Sequence, residues 1–407
     1  MTQDFDIVVA GGGLNGPTLA LALAQAGLRV AVVDPRPARA RSGAGFDGRA
    51  YSLAIASVRV LRALGLWDRL APDAQPIHQI KASQGQPGEG AGHFFLHFDS
   101  AELGEGPVGH MVEDRFLHAA LTDAMEGTVT TLPGLSVTGH EAGPAGVTAI
   151  LSDGQRLTAG LLIGADGRGS GVATRAGIRR QGWDYGQTAL VAAIDHALPH
   201  QGIAHQYFMA TGPLAILPLP GNRSNIVWSE TAANAAAIAA LDDAAFLAVL
   251  RPRFGDFLGD LSLAGPRFSY PLSLSLAERY AADRVALVGD AAHGVHPIAG
   301  QGLNLGLRDV AALAEVLVDA ARRGEDIGST LVLERYQAWR RPDATTLALG
   351  MDGVNRLFAT DNPAVAGLRG AGMGVVDALP GLRRGFMRQA AGLSVSPMPR
   401  MLAGQAL

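Results

Sequence analysis

The sequence predicts an α/β protein: a parallel-sheet domain with flanking helices, a β-rich unit inserted into it, and C-terminal helices. Three observations carry this. The chain opens on "DIVVAGGGLNGPTLALALAQAGLRVAVVD", a strand, a glycine-rich turn, a helix and a second strand. Two later apolar stretches, "LLIGAD" and "RVALVGD", each end in an acid, as the second strand does. Between them, residues 187–230 alternate apolar and polar side chains, which suits an antiparallel sheet.

The elements follow in order. "IVVA" is apolar without interruption, as a central parallel strand is. Residues 15–26 are rich in Ala and Leu and stop at Gly27, a helix C-terminal signal. "RVAVVD" returns as a strand, and the short links favour parallel pairing. "SLAIASVRVLRALGLW" reads as a helix. From about residue 77 "HQIKASQG" and "HFFLHFDS" read as short strands around the glycine-rich "GQPGEGAG". "MVEDRFLHAALTDAM" reads as helix, and "VTAILSDGQRLTAGLLIGADG" as a hairpin feeding an apolar strand. Two helical pieces near 232–250 precede a strand near 267–272, and most of the remainder is helical. The expected division is a discontinuous nucleotide domain (1–75, 100–180 and 280–330), a β-rich substrate domain (76–99 and 181–279) and a helical segment, 331–407.

Composition narrows the function. With 407 residues, 48% hydrophobic and 17% charged, the chain can build a large core. A net charge of −4 offers no basic field, so no nucleic-acid partner is expected. There is no cysteine, which removes disulfides, thiolate nucleophiles, Cys-zinc and iron–sulfur sites, and a cysteinyl-linked flavin. The N-terminal "MTQDFDIVVA" is acidic where a signal peptide is basic, and "AANAAAIAALDDAAFLAVL" is broken by Asn234, Asp242 and Asp243. A cytoplasmic protein is the expectation.

Three turns carry the chemistry. Gly11, Gly13 and Gly16 form GxGxxG between strand and helix: one glycine for the tight turn, one for close approach of a pyrophosphate, one for helix packing. The helix N-terminus adds free N–H groups and a dipole contribution of about 0.3–1 kcal/mol for an anion. Asp34 ends the second strand, where a carboxylate can accept from a ribose diol. No Lys-Ser/Thr follows, so a phosphate loop of the NTPase kind does not fit. The second turn, "GADGRGSGVATR", holds Asp166 in an Asp-Gly pair, a combination that also makes ordinary turns unaided. The third, "GDAAHGVHPIAGQGLNLGLRD", places Asp290 after an apolar strand, where a sugar or polyol hydroxyl could bond it. Gly300, Gly302 and Gly306 then flank a helix start. His293 and His296 lack a third ligand, so no metal is expected.

Together the three turns resemble the FAD domain of the group A flavin-dependent monooxygenases. "HPIAGQGLNLGLRD", "DGRAYSLAIASVRVLRALGLW", "VEDRFLHAAL" and "LERYQAWRRPDATTLALGMDGVNRLF" resemble, more narrowly, the ubiquinone-biosynthesis hydroxylases. The likeness runs over nearly the whole chain and is most specific around "AGQGLN". It implies a Rossmann-like FAD-binding domain with non-covalent FAD. Gly11, Gly13 and Gly16 would hold the pyrophosphate, Asp34 the adenosine ribose, and Asp290 the ribityl chain. Pro297 and the amides of Gly300, Gln301 and Gly302 would line the isoalloxazine, with Asn304 in the same segment. Arg49 and Arg115 would approach the cofactor; salt bridges are their alternative. Asp166 would belong to the Asp-Gly turn. The family's Ser-x-x-Arg after that turn is altered, since Ser170 is present and Ala173 stands at the arginine position. Arg175 is then a substitute, or the interaction is missing.

The reaction so implied uses NAD(P)H as co-substrate and puts one oxygen atom of O2 on an electron-rich ring, here of a polyprenylated phenol. No catalytic side chain is identified, because the cofactor carries the hard step. "GAGMG" follows no strand and is discounted as a second nucleotide site. Three other functions stay open: hydroxylation of a small aromatic acid, flavin-dependent reduction of a prenyl chain, and a non-catalytic scaffold. A dry pocket is required, because oxygen activated at a cofactor open to water leaves as hydrogen peroxide. Tyr207, Phe208, Met209, Leu217 and Trp228 are its candidates, with plain core as their alternative. The tail, residues 364–393, mixes Val365, Leu368, Met373, Val375, Val376 and Leu379 with Arg369, Arg383, Arg384 and Arg388. It suits peripheral contact with an anionic membrane or a biosynthetic complex, or a helix packed on the body with a solvated arginine face.

Overall fold

The computed structural model describes residues 3–37, 48–86, 90–359 and 363–407. Residues 87–89 of the expected glycine-rich loop lie outside them, as do residues 38–47. The strand Phe5–Ala10 sits at the centre of the first sheet, between Arg156–Gly164 and Val30–Asp34, parallel to both. Val285–Leu287 extends that sheet beyond Arg156–Gly164 and Thr130–Pro133 beyond Val30–Asp34, again in parallel. Ile7, Val8, Val9, Leu161, Leu162 and Ile163 are fully buried. Each such side chain stabilises the fold by about 1.5–3 kcal/mol through its removal from water. That is why these strands read as unbroken apolar runs. Helices Asn15–Gln25 and Gln301–Arg322 pack together against this sheet.

The second sheet has nine strands and is mostly antiparallel, with Arg180–His196, Arg223–Thr231, Gly212–Leu219 and Ile203–Met209 in its middle. Gln79–Gln86 joins parallel to Ile203–Met209, and Gly90–Asp99 closes that edge. Period-2 alternation sorts its faces. Leu190, Ala192, Tyr207, Met209, Ile216 and Trp228 face helices Ala232–Ala239 and Asp243–Phe254. The opposite face turns toward the C-terminal helices.

Two local readings fail. Residues 52–54 are not helical: Ala50–Ala54 is a strand paired with Gly109–Glu113, and the helix starts at Ile55. Likewise residues 111–113 are strand, and that helix starts at Asp114. Helical periodicity at the ends of both segments yields to a pairing between stretches distant in sequence. The tail forms three helices, Thr330–Phe358, Pro363–Ala378 and Pro380–Ala390, the last two divided at Pro380. Among the described residues no helix is long and apolar enough to cross a membrane.

Candidate active site

The three turns meet. Gly11 has φ +118°, and a Cβ there would lie 2.3 Å from the Ala165 carbonyl oxygen and 2.9 Å from the Asp166 nitrogen. Only glycine lets the first turn close on the second. Asn15 joins the first turn to the third: a Cβ on Gly289 or Gly306 would fall 2.2 or 2.3 Å from its side-chain amide. A Cβ on Gly16 would likewise fall 2.0 Å from the Gly11 carbonyl oxygen, and Gly13, in the same turn, is half-buried.

This junction fits a dinucleotide on three counts. Helix Asn15–Gln25 has no side-chain cap and no acid in its first turn, and the same is true of Gln301–Arg322, which begins after a left-handed Gly300 (φ +61°). Uncapped helix N-termini leave amides and a positive dipole for an anion. The buried Asn15 Oδ1 has no partner among the described residues, which is rare unless a ligand or water supplies a donor. The Asp290 carboxylate is 41% exposed and can still reach a hydroxyl.

The acids divide by what they hold. Asp34 accepts from the Gly12 amide (2.5 Å) and the Arg36 amide (2.8 Å), fixing the glycine turn to the end of the second strand. Asp166 accepts from Ser170 Oγ (2.5 Å) and the Val172 amide (3.1 Å), so its carboxylate closes its own turn at the start of the short helix Gly171–Arg175. Asp290 pairs with Arg168 (Nε–Oδ2 3.2 Å), whose guanidinium also donates to the Val295 carbonyl. Arg180 donates to the backbone carbonyls of Asp290 and Ala291.

Beneath lies a fully buried ionic cluster. Asp309 accepts from the Gly289 amide (3.1 Å) and Arg340 Nε (2.8 Å), and its Oδ2 lies 2.5 Å from His293 Nε2. Burial alone would raise the Asp309 carboxyl; His293 and Arg340, by charge and hydrogen bond, hold it below the usual range. Arg340 also donates to Asp343 (2.6 Å). The cluster fixes the Gly289–Asp290 turn from below. His296 contacts Gln187 (3.4 Å), which also accepts from Asn355 (3.2 Å). Burial, then the nearby Arg168, pushes the His296 imidazole down to about 4. Among the described residues no group of three or more His, Cys, Asp or Glu could hold a metal.

Pro297, Gly300 and Gly302 are half-buried at the start of Gln301–Arg322, and Gln301 is buried there and donates to the Ala390 carbonyl (3.3 Å). Asn304 has all four of its side-chain bonds committed. Oδ1 accepts from the Ala54 amide and Ser57 Oγ, and Nδ2 donates to the Ser52 and Gly300 carbonyls. It acts as a stitch between strand Ala50–Ala54 and the Gly300 turn rather than as a side-chain ligand. Arg49 pairs with the buried Asp114 (3.3 Å), and Arg115 with Glu113 (2.6 Å) while lying over the Phe116 ring.

From this segment a cavity of about 640 Å³ runs between the second sheet and the C-terminal helices. Ile298, Gln301 and Asn304 line one end; Ile80, Phe208 and Leu217 line the sheet wall; Leu357, Met373 and Phe386 line the helical wall. Of the five expected pocket residues, Phe208 and Leu217 line it. Tyr207, Met209 and Trp228 sit in the core behind the sheet, because odd and even positions along a strand face opposite ways. The C-terminal helices roof the cavity: Asp377 accepts from the His97 amide (2.9 Å) and Arg383 pairs with Glu102 (3.0 Å).

A model of the family described as "FAD binding domain" matches residues 4–349. The chain belongs to this family. It is 45% identical over 403 residues to the "Ubiquinone hydroxylase UbiL" of Rhodospirillum rubrum, covering 98% of this chain and 92% of that one. It is 35% identical to the "3-demethoxyubiquinol 3-hydroxylase" of Escherichia coli (strain K12), over 96% and 99% of the two chains. The crystal structure of p-nitrophenol 4-monooxygenase PnpA from Pseudomonas putida DLL-E4 superposes with a TM-score of 0.80 over 98% of this chain and all of that one. At 21% identity that likeness speaks for the fold alone.

In this FAD-binding framework the arginine expected at the second turn is found elsewhere. Arg175 turns away to the Val137 carbonyl (2.8 Å), while Arg168 of the same turn reaches Asp290. Arg168, Arg180, Asn15 and Asp309 escape a motif reading. The available signals are an arginine directly after an Asp-Gly pair, and an asparagine at a helix start facing two distant glycines.

Proposed function

We propose that this FAD-dependent monooxygenase hydroxylates the aromatic ring of a polyprenylated phenol on the way to ubiquinone, with NAD(P)H and O2 as co-substrates. The observation that carries the reading is the cavity: large, almost wholly apolar, and starting at the segment that would flank the flavin ring. The relatives named for ubiquinone hydroxylation support it over nearly their whole length.

FAD, when bound, supplies the redox and oxygen-activating chemistry. The chain's residues bind, orient and keep water out. Gly11, Gly13 and Gly16 give the pyrophosphate its approach to the first helix, Asp34 stands at the ribose, and Asp290, held by Arg168, at the ribityl chain. Pro297 and the backbone of Gly300, Gln301 and Gly302 flank the ring, with Asn304 fixing their turn. Arg115, in the first turn of helix Asp114–Met125, and Arg49, paired with Asp114 at that helix start, stand on the cofactor side, and Asp166 keeps the second turn closed. The apolar walls fed by residues 76–99 and 181–279 and by the C-terminal helices exclude water, which protects an oxygen-activated cofactor.

The deciding experiment is a deletion strain analysed by mass spectrometry of its quinone intermediates. A prenylated ring lacking one hydroxyl should accumulate, and purified enzyme should add one labelled atom from ¹⁸O2 to it. No accumulation, or turnover without label, would overturn the reading. Asp290→Ala should lower FAD occupancy; full occupancy and full turnover would remove Asp290 from its role.

The cavity mouth supports peripheral contact with the inner face of the cytoplasmic membrane. Phe386 (57% exposed) and Leu357 both line the cavity and face outward, beside exposed Leu382 and Leu379 and the cationic Arg384 and Arg388. Val365 and Leu368 fall outside the residues whose side chains are described. Flotation with anionic liposomes tests this: Phe386→Ser with Leu382→Ser should abolish binding, and no binding by the unaltered chain would end the idea.

A further inference from the structure

The cavity has few polar side chains, and their bonding separates them. Asn304 is fully committed, Gln301 donates to Ala390, and Arg369 donates to the Leu357 carbonyl (2.7 Å) and lies over the Phe358 ring. His205 contributes to the lining, but its ring faces the other way, 4.5 Å from Phe257 and 5.9 Å from Tyr207 behind the sheet. Gln206 differs. It lies on strand Ile203–Met209 between Ala204 and Phe208, the positions that share its face, and all three line the cavity. Its strand neighbours in register are Ala82 and Ala215, too short to reach it with a polar group. Its side-chain amide has no hydrogen-bond partner among the described residues, and apolar Ile80, Leu96 and Phe98 surround it on the same sheet.

Gln206 is half-buried and opens on the cavity; a substrate filling the cavity takes away its water, and an unmet donor or acceptor is then costly. A phenol entering the same cavity loses its water and needs a polar partner too. Ala204 packs with Ile77 and Met111, and Met111 pairs with Ser52, whose Cβ would lie 3.0 Å from a Cβ on Gly300. Gln206 is therefore one face-repeat along the strand from the wall that meets the Gly300 turn. We propose that Gln206 is the specificity residue for the ring: its amide hydrogen-bonds an oxygen substituent of the substrate and so sets which ring carbon faces the cofactor. This rests on the cavity being the substrate site.

The test uses FAD-loaded enzyme and two probes, 2-farnesylphenol and farnesylbenzene, with binding read from the flavin absorbance and product position by mass spectrometry. The unaltered enzyme should bind the phenol about tenfold more tightly than the hydrocarbon, the ratio of one net hydrogen bond. Gln206→Met, of similar shape, should bring the ratio to about one, raise hydrogen peroxide per NAD(P)H consumed and scatter the hydroxylation position, with FAD content unchanged. Gln206→Asn covers the case in which the Met variant does not fold, and should show the same loss in weaker form. A variant that binds both probes and keeps the parent ratio and product position overturns the role of Gln206. If the unaltered enzyme binds neither probe, the reading of the cavity as the substrate site falls, and Gln206 with it.

Discussion

The two ends of the cavity are built on opposite principles. At the cofactor end, short glycine turns, acids and arginines sit close together, and the carboxylates of Asp34, Asp166, Asp290 and Asp309 are each held by named partners. At the far end, strands and helices distant in sequence bring together apolar surfaces; Asp377 reaches the His97 amide across 280 positions. The first end depends on geometry and charge, where one atom out of place leaves a buried group unpaired. The second depends on volume and dryness, which tolerate exchange of one apolar side chain for another. A protein that must hold one fixed cofactor and admit a greasy substrate gains from both.

This contrast predicts a graded response to substitution. Arg340→Met should do most harm, about 3–5 kcal/mol of stability in chemical denaturation, because it leaves Asp309 buried with half its compensation gone. A loss under 1 kcal/mol would mean that the buried cluster is not what holds the cofactor end. Gly11→Ala should cost about 1–3 kcal/mol from backbone strain and overlap with Ala165. Its sharper signature is purification without flavin, visible in the absorbance spectrum.

Acidification should probe both ends together. His296 at the cofactor end and His205 behind the far wall are both held near 4 by burial, against an ordinary value near 6.5. Between those values the unfolded chain takes up protons that the folded chain refuses, so stability falls as pH drops from about 6.5 to about 4 and is whole above that window. The melting temperature should therefore fall as pH drops across this range, and His296→Gln should remove part of that dependence. The smallest effect belongs to the far wall: Leu217→Met should cost less than about 1.5 kcal/mol and leave FAD content untouched, shifting only the affinity for prenylated phenols. A large loss of flavin there would erase the distinction between the two ends.

The same contrast explains what could be read in advance. The glycine turns, the acids ending the strands and the helix starts were legible because each is a local arrangement whose residue types follow from backbone geometry. The turns that carry Asp166 and Asn304 could be picked out in the sequence, but the bonding of the two side chains could not. Whether a carboxylate faces a ligand or its own turn depends on rotamers and neighbours that only the fold supplies. The helix expected from residue 52 failed for a related reason, since a strand partner at Gly109–Glu113 outcompeted local periodicity.

By itself the sequence determined the parallel-sheet framework, the order of the three turns and the absence of thiol chemistry, because these depend on residue type at short spacing. Only the tertiary structure decided that Arg168 rather than Arg175 reaches Asp290, that Phe208 lines the cavity while Tyr207 does not, and that the arginine-bearing tail forms a roof. Those outcomes turn on which faces meet across hundreds of residues. Side-chain direction alternates along a strand, and which face a sheet presents to its neighbours is fixed only when the elements pack.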